Sequence, residues 1–184
     1  MPFRTLPFCL CLVLLTAVFP VRLAADVDVR LQPLLTLMIQ RLQLSREVAW
    51  TKCRSGIPVA DASREARMLT DLKVAGAQTG LSSSEVVRLF LPQIAASRRY
   101  QEELIAGWRS GIDVPKIAPL DLASDIRPRL DKVNRGMLRQ WGVLCRGPLD
   151  WADREEAERM LRERGIPADV ARMASRPLDP RASR

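Results

Sequence analysis

Residues 31–58 read LQPLLTLMIQRLQLSREVAWTKCRSGIP, and their spacing sets the architecture. Leu31, Leu34, Leu35, Met38, Leu42, Val48 and Ala49 recur three and four residues apart, the period of a helix with one apolar face. Ser55-Gly56-Ile57-Pro58 stops it, since Gly and Pro are the expected end signals. The spacing predicts a helix from about residue 27 to residue 54. Three polar residues interrupt the stripe: Arg41, Ser45 and Lys52. At roughly 100° per residue, Arg41 and Lys52 lie within about 20° of each other, three turns apart. Ser45 falls between them. Both cations therefore point where the leucines point.

The same period continues outward. A second helix is expected over residues 62–78, with Asp61 as its N-cap and Gly80 past its end. Its stripe is Glu65, Met68, Leu69, Leu72 and Gly76, with Asp61 and Arg64 beside Glu65. A third starts after the Ser82-Ser83-Ser84 cap and runs to about residue 109. Its stripe is Val87, Phe90, Ile94, Ser97, Gln101, Leu104 and Trp108, and Pro92 is expected to bend its first half. Residues 110–120 read as a loop. A fourth helix spans about 123–145, with Pro128 tolerated in a first turn that needs no N–H donor. Arg127 sits at the edge of its stripe, beside Ile126, Leu130, Val133, Asn134, Met137 and Trp141. Gly147-Pro148 breaks the chain. Asp150 caps a charged helix to about residue 164, a short helix follows Pro167, and residues 176–184 are expected as a disordered tail. No β-alternation of useful length, glycine-rich phosphate loop or internal repeat is present. The expected fold is all-α, a bundle of about six helices.

Residues 1–25 read as a secretory signal. Arg4 supplies the positive end, an apolar run extends from Leu6 to Val21, and Leu23-Ala24-Ala25 precedes Asp26 as the cleavage site. The run is short for a membrane span, which needs about 20 apolar residues; the competing reading is an uncleaved anchor. A periplasmic or secreted protein, off the membrane once cleaved near Ala25, is expected. Cleavage leaves about 159 residues, a length for one domain. The leader carries Arg4 and Arg22 and no acid, so the formal charge falls from +8 to about +6. That balance favours anionic ligands. The basic residues are scattered, and only Phe90 and Tyr100 remain as Phe or Tyr, so a nucleic-acid surface is not supported. The sequence holds no histidine, which removes imidazole acid–base catalysis and His-ligated metal sites. Cys53 and Cys145 remain in the mature part. They do not make a zinc site, and one disulfide or two buried thiols are equally open.

An unpaired ion in a core costs several kcal/mol, so the interrupted stripes demand partners. Arg41, Lys52, Arg64 and Arg127 are four cations, and Asp61 and Glu65 are two anions. Either these groups neutralise one another, or they line a pocket for an anion. The excess of about two positive charges would be balanced by a ligand with two carboxylates.

Taken together, Arg41, Lys52, Asp61, Arg64-Glu65, Ser97 and Gln101 resemble the active-site pattern of the all-helical (AroQ-type) chorismate mutases. The Arg–Lys spacing of eleven, Lys–Asp of nine, Lys–Arg–Glu of twelve and thirteen and Ser–Gln of four all match. The signal and the additional C-terminal helices make it similar to the exported subclass. The resemblance covers roughly residues 31–141. It implies a chorismate mutase domain over 26–146 and a helical extension over 147–175, read as a solvated segment with i,i+4 ion pairs. It implies an isomerase that converts chorismate to prephenate, the first step of the phenylalanine and tyrosine branch, with neither metal nor cofactor. Arg41 and Arg127 would each grip one substrate carboxylate. Lys52 would hold a carboxylate and the ether oxygen, and Gln101 would donate to that oxygen from the other side. Glu65 would accept from the substrate hydroxyl, Asp61 would contact it through its backbone, and Arg64 and Ser97 would complete the carboxylate shell. Some exported members carry glutamate where this chain has Gln101. A homodimer is left open, as is a different class altogether: an exported non-catalytic helical module that binds an anionic metabolite or a protein.

Overall fold

The computed structural model describes residues 29–183. The expected signal peptide, residues 1–25, lies outside them. Six α-helices follow in order: α1 (Leu31–Ser55), α2 (Ala62–Ala77), α3 (Ser83–Arg109), α4 (Arg127–Leu144), α5 (Trp151–Glu163) and α6 (Ala168–Ala174). Among the described residues no helix is long and apolar enough to cross a membrane.

The helix ends follow the local chemistry. Gly56 stops α1 in the left-handed region at φ 68°, where glycine carries no Cβ penalty. The Asp61 carboxylate caps α2 by accepting from the Arg64 backbone N–H at 3.1 Å. Ser82 and Glu85 form a reciprocal capping box at the start of α3. These bonds to Ser82 hold the Glu85 carboxyl below its usual pKa. The helix continues unbroken through Pro92. Helix α4 differs from expectation in its first turn. Residues Leu122–Ile126 wind as a π-helical turn capped by Asp121, which accepts from the Ala123 and Ser124 N–H groups at 2.7 Å each. Arg127 thus becomes the first residue of α4 proper.

Packing gives the helices their directions. Glu47 on α1 meets Arg129 on α4, and Leu37 packs against Gly136, so α1 and α4 run antiparallel. Arg41 reaches Ser97 and Trp50 meets Trp108 edge-on at 5.4 Å, so α1 and α3 run parallel. Where α2 ends, Gly76 lies so near the start of α3 that an added Cβ would sit 2.5 Å from a Val86 methyl. Trp141 is fully buried, donates to the Glu85 carbonyl at 3.0 Å and lies under the Arg88 guanidinium. Helix α3 is covered by α1, α2 and α6, and it buries a broader face than its stripe implies, adding Val86, Leu89, Gln93 and Tyr100. The loop after α3 is pinned back on α1: Trp50 Nε1 donates to the Ile117 carbonyl and the Thr51 hydroxyl to the Leu120 carbonyl, both at 2.9 Å.

The packing decides between the two open readings of the cysteines and overturns two expectations for the C-terminal segment. Cys53 and Cys145 are both free thiols. Helices α1 and α4 are antiparallel, so Cys53 near the end of α1 and Cys145 after α4 lie at opposite ends of the bundle. At 1.5 Å of rise per residue that separation is roughly 30 Å, whereas a disulfide needs Cα atoms within about 7 Å. The C-terminal segment is not a solvated extension. Ala157, Leu161, Ile166, Val170, Ala171 and Ala174 belong to the same core cluster as the α1, α3 and α4 leucines. Both i,i+4 pairs do form: Arg159–Glu163 on the exposed side of α5, and Arg154–Glu158 half-buried against the C-terminal turn, where the Ser175 hydroxyl donates to Glu158 at 3.0 Å. Nor is the described part of the tail disordered. Residues Arg176–Leu178 form a 3-10 turn that buries Leu178 completely. Arg154 holds Asp179 at 2.9 Å, and Arg181 lies over the Trp151 ring at 4.9 Å.

Candidate active site

Between α1, α2, α3 and the start of α4 lies a cavity of about 150 Å³. All eight residues expected at the site line it: Arg41 and Lys52 from α1, Asp61, Arg64 and Glu65 at the start of α2, Ser97 and Gln101 from α3, and Arg127 from α4. Ser45, Asn134, Met68, Ile94 and Ile126 supply further wall. The periodicity explains the convergence. A polar group at a stripe position is carried inward with its apolar neighbours, and four such stripes meet here.

Arg41 is buried deepest of the cations. Its Nε donates to Asn134 Oδ1 at 3.1 Å, and its Nη1 donates to the Gln93 backbone carbonyl at 2.8 Å and to the Ser97 hydroxyl. All three acceptors are neutral. Because Ser97 accepts from Arg41, its own hydroxyl proton remains available to donate elsewhere. Burial lowers the Arg41 pKa to about 10, against the opposing pull of Glu65, so it stays charged at neutral pH. Lys52 is also buried and donates to the Val59 carbonyl at 2.6 Å. Burial is the main cause that lowers its pKa; Asp61 and Glu65 oppose the shift, and Arg127 and Arg64 reinforce it. Arg64 is lowered too, by burial and then by Arg127. The Gln101 amide is buried, and its Oε1 meets no hydrogen-bond donor.

The two carboxylates are engaged elsewhere. Asp61 caps α2. Glu65 is held by Arg98, whose Nε donates to Oε1 at 2.7 Å and whose Nη2 pairs with Oε2. Among the described residues Arg41, Lys52, Arg64 and Arg127 form no ion pair with any carboxylate. Mutual neutralisation, one of the two readings of the stripes, is therefore not what the fold builds. It builds a concave surface on which positive charge exceeds negative.

Residues 26–102 match the family model described as chorismate mutase type II. The chain is 34% identical over 137 residues to the secreted chorismate mutase of Mycolicibacterium smegmatis, covering 70% of this chain and 75% of that protein. The chain belongs to the type II chorismate mutases. The secreted chorismate mutase of Mycobacterium tuberculosis is 27% identical over 139 residues, covering 71% of this chain and 69% of that protein. The crystal structure of chorismate mutase from Burkholderia thailandensis superposes with a TM-score of 0.72 at 27% identity, covering 82% of this chain and 99% of that one. The secreted chorismate mutase of Yersinia pestis shares the fold, with a TM-score of 0.69 at 19% identity over 79% of this chain and 94% of that one. The family match ends at residue 102, so Arg127 and Asn134 enter the cavity from outside it.

Three participants carry no role in the sequence reading of this chorismate mutase. Asn134 stands among the apolar residues of α4, a signal of the same kind as Ser97. Arg98 lies off the Ser97–Gln101 stripe of α3 and reaches the cavity from its edge. Gln93 contributes through its backbone carbonyl, which no side-chain pattern reveals.

Proposed function

We propose that this chorismate mutase carries out its reaction in the cavity between α1, α2, α3 and α4, with roles for its residues as follows. Chorismate brings two carboxylates to a pocket whose cations lack carboxylate partners. Arg41 and Arg127 each take one carboxylate; guanidinium donors fix a carboxylate's orientation as well as its position. Arg64 and the Ser97 hydroxyl complete that shell. Clamping both ends holds the substrate in the compact conformer from which the rearrangement proceeds. Bond breaking at the ether carbon builds negative charge on the ether oxygen. The Lys52 ammonium and the Gln101 amide N–H donate to that oxygen from two sides and stabilise the transition state more than the ground state. Glu65 accepts from the substrate hydroxyl, with Asp61 contacting it through its backbone.

The reaction is an intramolecular isomerisation that calls for no nucleophile and no proton transfer, which suits a site without histidine. A million-fold acceleration corresponds to about 8 kcal/mol, and one well-placed donor supplies about 3–4 kcal/mol. The observation that carries the reading is the set of four cations facing one cavity with no carboxylate paired to them. All eight residues come from one chain, so the site needs no second copy. Export, with residues 1–25 as a leader cleaved near Ala25, is proposed on the same footing; the secreted relatives support it. The test is direct. Purified chain from residue 26 is incubated with chorismate, and loss of its ultraviolet absorbance is followed together with appearance of prephenate. Steady conversion is expected; stable chorismate would reject the assignment.

A further inference from the structure

The proposed roles leave Arg98 unused, although it lines the cavity and forms an ion pair with Glu65 there. Both donors of its fork engage both oxygens of Glu65. The pair is only partly exposed, 39% for the Arg98 side chain and 22% for Glu65. Glu65 also lies close enough to Arg41 and Lys52 to act on the charge of each. Arg41, Lys52, Arg98 and Glu65 all line one cavity, and Arg98 is the cation that holds the carboxylate.

We propose that Arg98 is a positioning residue whose fork fixes Glu65 as the hydroxyl acceptor and keeps that carboxylate away from Lys52 and Arg41. This inference rests on the role given to Glu65 above. A carboxylate has about four lone-pair sites. Arg98 takes one on each oxygen and leaves the rest for a ligand hydroxyl. Without the fork, Glu65 is free to swing onto Lys52 or Arg41. It would then neutralise a cation that engages the substrate, and the substrate would have to displace it. Arg98 does this from α3 while Glu65 stands on α2, so the contact also ties together the two walls of the cavity.

A kinetic double-mutant cycle on the chain from residue 26 tests this, using the parent, Arg98→Ala, Glu65→Gln and the double variant, with chorismate as substrate. Arg98→Ala should lower kcat/KM about tenfold, mainly through a higher KM, and in the Glu65→Gln background the same change should cost less than about twofold. Arg98→Lys, which keeps the charge without the fork, should fall between parent and Arg98→Ala, and it carries the test if the alanine variant does not fold. An equal loss in both backgrounds would overturn the proposal, because Arg98 would then act independently of Glu65. So would an Arg98→Ala enzyme indistinguishable from the parent beside an impaired Glu65→Gln. If Glu65→Gln itself matches the parent, the role assigned to Glu65 fails and this inference fails with it.

Discussion

The donors at the proposed ether-oxygen site differ in how they depend on pH. An amide N–H donates at any pH, and Arg41, drawn down by burial to about 10, remains cationic near neutrality. The proposed roles therefore predict a flat rate profile around neutral pH for the parent enzyme. Replacing Gln101 by glutamate turns a permanent donor into one that donates only when protonated. Gln101→Glu should be most active in acid and lose activity as the carboxyl ionises. A kcat/KM profile measured for both proteins checks this, and an unchanged profile in the variant would remove Gln101 from the ether oxygen. The residue scale is also where sequence reading worked best and where it stopped. Arg41, Lys52, Ser97 and Gln101 stand out because each interrupts an apolar stripe. Arg98 does not, since it sits one position off the stripe, and only the packing of α2 against α3 shows that it reaches Glu65.

At the scale of elements, helical period and stop signals locate α1 to α4 to within a few residues, because Gly56, Asp61, Ser82 and Gly80 act through local backbone chemistry. Periodicity carries no information on the relative direction of helices far apart in sequence. That is why the Cys53–Cys145 bond stays open on sequence and is excluded once α1 and α4 are antiparallel. Burial pushes the Cys145 thiol up to about 11, so it stays protonated and unreactive at neutral pH. Chain from residue 26, denatured without reductant, should titrate two thiols per molecule. A count of zero would mean that the two cysteines meet and that the helix arrangement is wrong. The π-helical turn before α4 is a second feature beyond the reach of periodicity. Its register follows from Asp121 capping two backbone N–H groups, and it brings Arg127 and the buried Ile126 to the cavity.

For the molecule as a whole, the main departure from the sequence reading is the C-terminal segment, residues 147–183. Helix α5 offers a narrow stripe in a strongly charged segment, and Leu178 stands almost alone among polar residues, so local pattern reads both as solvated. Their burial is a tertiary fact: α6 lies along α3, and Gln93 joins them by donating to the Ala174 carbonyl at 2.7 Å. The same residue's backbone carbonyl accepts from Arg41, so the C-terminal helices brace the wall that orients the guanidinium proposed to grip a substrate carboxylate. Leu178→Ala should destabilise the fold by about 2–5 kcal/mol, the range for a fully buried leucine. It would show as a lower denaturation midpoint with an unchanged slope, and an unshifted midpoint would return residues 176–183 to a free tail.

One cavity, charged by four cations that pair with no carboxylate, is proposed to perform the chemistry. The measurement closest to it is kcat/KM for chorismate in Lys52→Ala and Arg41→Ala, each with its helical circular dichroism compared to the parent. A loss of at least about a hundredfold in each variant, with the fold retained, is the predicted result. A folded variant as active as the parent would place the chemistry outside this cavity.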